Sequence, residues 1–360
     1  MKAWTAWSVL CALVLFLGCK KEETASQAID VSPQCDAPDG YIAFDVGNHQ
    51  PQDTRLNTFD KMINAMAAAV MADGTVDGSA FKKAKSLYLD AAKSADLQTK
   101  VLERLDEHVK GDPPQGERLD ETLLAFLDFG AAATTAREAE VAAVWVEITL
   151  QEFFFLSVYH ELIDPTREHW DEAFGYFGSH SDNDESGLQG LAMMASLRDA
   201  TNGTNLGAEI FNDLIDGACV LDEALTKADA ETLPLKDMPE LEGVVEDIDT
   251  TLQKVLAYTL GHDAMEIVDL LEAGGTDVDD LTVEAAELVA IATPLIRLMN
   301  DRGGASADRA DQLQAIIDTL PLADGVPDSA ALADDSWIAD FDPTAILELI
   351  EAEYDIDVKG

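Results

Sequence analysis

The sequence predicts an all-α fold: two packed helical bundles behind a flexible N-terminal tether that carries a lipid anchor. Three observations point there. Apolar residues recur at helical spacing from Leu56 onward. No segment shows the apolar–polar alternation of a half-buried strand. The N-terminus reads as an export signal that ends at Gly18-Cys19. A length of 360 residues suits two domains, and 47% apolar residues suffice for a substantial core.

The elements follow in order. Lys2 begins residues 1–18, and an apolar run too short to span a bilayer follows it. Leu15-Phe16-Leu17-Gly18-Cys19 resembles a bacterial lipobox, so the mature chain is expected to start at Cys19, acylated on thiol and amine. Lys20 and Lys21 follow, with no Asp at position 20, which by resemblance to enterobacterial lipoprotein sorting implies the outer membrane. Residues 19–54 hold Pro33, Pro38 and Pro51 and read as a tether. Two further Cys remain in an oxidising compartment, so Cys35 and Cys219 are a candidate disulfide; a small buried side chain is the other reading of Cys219.

Residues 55–163 are expected to form the first bundle. Met62, Ile63, Met66, Ala69 and Val70 make one helical face, and Asp73-Gly74 ends it. Further helices are predicted at 79–94, 96–110 and 117–133, with Gly111-Asp112-Pro113-Pro114 as a break. Residues 138–163 are apolar nearly all round, which predicts a central buried helix. Glu147, Gln151, Glu152, His160 and Glu161 argue against a membrane span there. Residues 164–360 are expected to form the second bundle. Its helices are predicted at 166–177, 188–200, 205–228, 239–272, 282–300, 305–319 and 343–353, with a polar loop at 178–187.

Charge narrows the function. The chain has 23 Lys+Arg against 70 Asp+Glu, a formal net charge of −47. Such a surface repels phosphate backbones, so nucleic acid is excluded as a partner. It favours cations, a basic protein partner or a salty medium.

Only six His occur, and three stand beside acids in helical segments. His160-Glu161 ends the central helix. His169 and Glu172 are three residues apart on one helix face. His262 and Glu266 are four apart on another. Imidazole and carboxylate together suit iron, zinc or another divalent metal, and bundles present such ligands inward at these spacings. Ordinary His–Glu hydrogen bonds are the alternative reading of each pair. Trp170, Phe174 and Phe177 form an apolar stripe, read as core or, less readily, as a haem-stacking face. Asp73-Gly74-Thr75-Val76-Asp77-Gly78 begins like a calcium loop but lacks the closing Glu, so it reads as a turn with capping Asp residues. No phosphate-binding loop, hydrolase nucleophile motif or His-Glu-x-x-His helix is present, so a non-enzymatic role reads more readily than an enzymatic one.

The block His169-Trp170-Asp171-Glu172-Ala173-Phe174-Gly175-Tyr176-Phe177-Gly178 resembles the imelysin-related bacterial lipoproteins, a group that includes a domain of unknown function. Residues 206–218 and 257–266 fit the same picture, so the resemblance covers roughly residues 140–275. It implies two helical bundles, an envelope location, an iron or haem-uptake context and a His-x-x-Glu metal motif at His169 and Glu172. It also implies a peptidase label. Three functions are therefore expected in this order: an envelope-anchored protein that binds a metal ion or haem-type ligand, an acidic interaction scaffold without small ligand, and an imelysin-type metallopeptidase.

Overall fold

The computed structural model describes residues 46–178, 188–272, 278–323, 326–332, 337–338 and 340–358. They are mostly α-helical, which bears out the predicted class. In order they form α1 (Val46–Ala67), α2 (Ser79–Leu89), α3 (Ala91–Ser94), α4 (Leu97–Leu102), α5 (Gly116–Ala132), α6 (Ala136–Ile163) and α7 (Arg167–Phe177). Then come α8 (Gly190–Asn202), α9 (Leu206–Ala228), α10 (Pro239–Glu272), α11 (Val278–Arg302), α12 (Gly304–Ile317), α13 (Ser329–Leu332) and α14 (Pro343–Tyr354). A two-residue antiparallel pair, β1 (Leu322–Ala323) with β2 (Val326–Pro327), lies between α12 and α13.

Three boundaries differ most from expectation, each for a physical reason. Helix α1 starts at Val46, inside the predicted tether. His49 and Gln52 are buried there, and Asn48 donates to Asp171 of α7 at 2.8 Å. The predicted 79–94 helix breaks at Asp90, whose carboxylate accepts from Lys93 N and starts α3. The predicted 96–110 helix stops at Leu102, because the backbone of 103–116 folds back on itself. Gln115 N and Gly116 N donate to Arg104 O, and Asp106 N donates to Pro113 O.

Helix α6 is the hub. Thr135 and Glu138 close a capping box at its start. Its side chains are buried on every face, from Val141 through Phe153, Phe154 and Phe155 to Leu162. It packs against α1, α5, α7, α8, α10 and α11. Among the described residues α6 is the one helix long and apolar enough to cross a membrane, yet 83% of its most apolar window is buried inside the protein. Helices α9, α10, α11, α12 and α14 pack in succession.

Helix α7 follows the predicted boundary at 163/164 but packs on α6 and α1. Two glycines let it approach closely. A Cβ on Gly217 of α9 would stand 2.1 Å from the Trp170 ring, and one on Gly175 would stand 2.7 Å from His49 Cβ. Trp170 Nε1 donates to Leu214 O at 2.7 Å, which fixes that ring against α9.

The 103–115 loop ties the chain's two halves together. Buried Asp106 accepts from Arg297 of α11 at 2.5 Å. Arg297 and Arg118 both pair with buried Glu152 of α6. His108 bridges Asp106 at 3.2 Å and Asp249 of α10 at 2.8 Å, stacked between Phe155 and Tyr159. Lys110 N donates to Asp301.

Candidate metal-binding site

Glu161 lies at the C-terminal end of α6, only 7% exposed. The turn at 164–166 then reverses the chain, and Thr166 caps α7 by accepting from His169 N at 3.0 Å. That short connection brings the last turn of α6 against the first turn of α7. Glu161 consequently interacts with Glu172, His160 and His169, and with Arg104 from the loop. Burial and the Glu172 charge raise its pKa, while His160, Arg104 and His169 oppose that rise. Three of the six predicted ligands, His160, His169 and Glu172, thus act electrostatically on a fourth, the buried Glu161 carboxyl.

Their hydrogen bonds decide what they can do. His169 Nδ1 stands 2.6 Å from Asp164 O, a carbonyl that can only accept, so Nδ1 carries the proton and Nε2 is left as the basic nitrogen. His160 Nδ1 stands 2.5 Å from Glu107 Oε1. Burial pushes the Glu107 carboxyl up, but its bond to His160, the charges of His160 and Arg104 and a backbone hydrogen bond together hold it below the usual range. It therefore accepts, and His160 also presents Nε2. An imidazole whose Nδ1–H is held by a carboxylate or carbonyl is the arrangement in which His ligates metals. Both rings are partly solvent-accessible, with side chains 44% and 35% exposed for His160 and His169. Arg104 is buried, lies 5.6 Å over the Phe153 ring, and has an unpartnered Nε.

The third predicted pair has different neighbours. His262 Nδ1 is 3.8 Å from Glu266 on α10. Burial and the nearby Arg198 lower the His262 pKa against the pull of Glu266. The six residues are thus sorted into two groups rather than one shared pocket. Among the described residues, no three His, Cys, Asp or Glu side chains are already arranged around an ion.

Other expectations resolve individually. Trp170, Phe174 and Phe177 are each 1% exposed, so the stripe is core and offers no face to a stacked haem. Asp73 accepts from Thr75 and Asp77 from Ser79, which makes 73–79 the expected turn. Cys219 is buried in α9. Cys19 and Cys35, and with them the lipid site and the disulfide, lie outside the described residues. Glu147 receives the Gln151 side-chain amide at 3.2 Å and is pushed up to about 8 by burial and by Asp60.

The sequence reading missed Arg104, Glu107, Asp263, Glu284 and Glu287. Arg104 and Glu107 sit in a segment expected to be ordinary helix. Asp263 and Glu284 interrupt apolar helical runs, a cost the local pattern shows but does not explain. No known protein family, curated protein or solved structure matches the chain.

Proposed function

We propose that the protein is a lipid-anchored binding protein of the cell envelope, held by acyl chains on Cys19 and built as an imelysin-like pair of bundles. It takes a metal ion, or a metal-bearing ligand, where α6 meets α7. Its donors are His160, Glu161, His169 and Glu172. The observation that carries this reading is the orientation of two imidazoles. His160 and His169 each tie Nδ1 to an oxygen acceptor and leave Nε2 basic, beside a buried carboxyl. Two nitrogens with two carboxylates suit zinc or ferrous iron better than calcium. The bound metal would supply Lewis acidity or simply be cargo.

Metal analysis of the purified protein tests this. Wild type should retain zinc or iron, and the metal should fall to background in His169→Ala. Equal, negligible metal in both, with no gain on reconstitution, would refute it.

A second reading, the acidic interaction scaffold, is favoured by one observation. His160 and His169 already have partners in Glu107 and Asp164 O, so each could simply be satisfied locally. It expects melting to respond to salt and not to zinc or iron.

A further inference from the structure

A groove opens where α2 folds back on α1. The turn between them is short and tied down: Val70 pairs with Val76, and Asp77 N donates to Ala69 O at 2.7 Å. Helix α2 sends Phe81, Ala84 and Tyr88 into the core. Ala80, Lys83 and Leu87 share another face of it, at i, i+3 and i+7. They line one cavity together with Lys61, Ala65 and Ala68 of α1, and its volume is about 490 Å3. Alanine at 65, 68 and 80 leaves that space unfilled, and Leu87 adds an apolar wall.

The charge of this groove runs against that of the molecule. The chain has 70 acids against 23 Lys+Arg, yet α2 carries three lysines and no acid. Lys85 is paired, with Asp128 at 2.6 Å. Lys61 and Lys83 are exposed in the groove wall and have no ion-pair partner among the described residues. Asp77 is the acid in the wall. Its Oδ1 accepts from Ser79 N at 2.9 Å, and Lys82 offsets its charge. Fields of remote acids are screened within about 8 Å at physiological salt, so the lysines set the local sign. Two unpaired ammonium groups above an apolar floor are complementary to an organic anion with an apolar body.

We propose that the α1–α2 groove binds a free organic monocarboxylate with an apolar chain, of the fatty-acid type. Lys61 and Lys83 hold the carboxylate, and the chain covers Ala65, Ala68, Ala80 and Leu87. The cavity falls within the roughly 300–1,000 Å3 of small-molecule sites. The site shares no residue with the α6–α7 corner and is independent of the metal reading.

Isothermal titration calorimetry of the purified protein with decanoate, below its micellar concentration and at physiological salt, tests this. Wild type should bind one decanoate saturably, and decanol should bind about 10-fold more weakly. Lys61→Met and Lys83→Met keep the apolar stems and remove the charges. Each should weaken binding about 3-fold, and the two together about 10-fold. Ala80→Leu, a good helix former on a partly exposed face, should fill the groove and abolish binding. Lys227→Met on α9 should leave it unchanged. No saturable heat with wild type would overturn the proposal. So would binding that either the paired lysine changes or Ala80→Leu leave intact. Inorganic phosphate, or an oligo-glutamate peptide, bound as tightly as decanoate would overturn it too, since neither has an apolar chain to place on the floor.

Discussion

His108 carries a charge that the fold depends on. Burial opposes its protonation, but hydrogen bonds to Asp106 and Asp249 prevail and lift its pKa to about 9. The folded value lies above the unfolded one. The stabilisation is therefore fully present below roughly pH 6.5 and is lost as pH rises through about 9. His108→Ala should cost about 3 kcal/mol near neutral pH, because it leaves Asp106 and Asp249 facing each other's element without their shared cation. Urea unfolding of both proteins between pH 6 and pH 10 should show the gap closing at the alkaline end. A gap that does not narrow would mean that ring packing, not charge, is what His108 contributes. Gly217 makes a steric case at the same scale. A Cβ there meets a Trp170 ring already fixed by Leu214 O, so Gly217→Ala should destabilise by about 1–3 kcal/mol. At this scale the sequence shows chemistry but not partners. His160, Glu161, His169 and Glu172 could be grouped because a short turn joins their helices. Glu107 and Arg104 could not, since they arrive from more than 50 residues away.

Helices were legible where their ends carry a local signal. Pro239 and Pro343 begin α10 and α14 where the sequence places them. Thr135 with Glu138 starts α6 within two residues of the expected position. That cap is open to a direct check: Thr135→Ala should lower stability by about 1 kcal/mol in thermal melts, and Thr135→Ser should restore it. Ends set by distant packing were not legible. Pro51 reads as a break, yet α1 runs through it, because Asn48, His49 and Gln52 find their surroundings on α7. Residues 103–110 read as the last turns of a helix that ends at the break over 111–114. They are instead the ties to α6, α10 and α11.

The whole molecule is governed by excess negative charge, outside and inside. Burial and neighbouring acids push Glu140 up to about 7 and Glu147 up to about 8. A carboxyl with a raised folded pKa contributes stability that is present below its unfolded value and lost as pH rises through the folded one. Both groups and His108 therefore act in the same direction. The melting temperature should be highest near pH 5 and fall towards pH 9. Added salt should raise it at neutral pH by screening repulsion among 70 acids. A melting temperature that climbs from pH 5 to pH 8 would contradict this. The all-helical class was legible in composition and period alone. The joining of both halves of the chain around α6 was not, because an all-apolar helix announces burial but not its neighbours.

The measurement closest to the metal-binding proposal is an anomalous difference map from crystals soaked with Zn2+ or Fe2+. A peak bonded at roughly 2.0–2.2 Å to Nε2 of His160 and His169 and to the carboxyl of Glu161 or Glu172 is the expected result. No peak at the α6–α7 corner, in crystals where surface carboxylates do take up the ion, would contradict it.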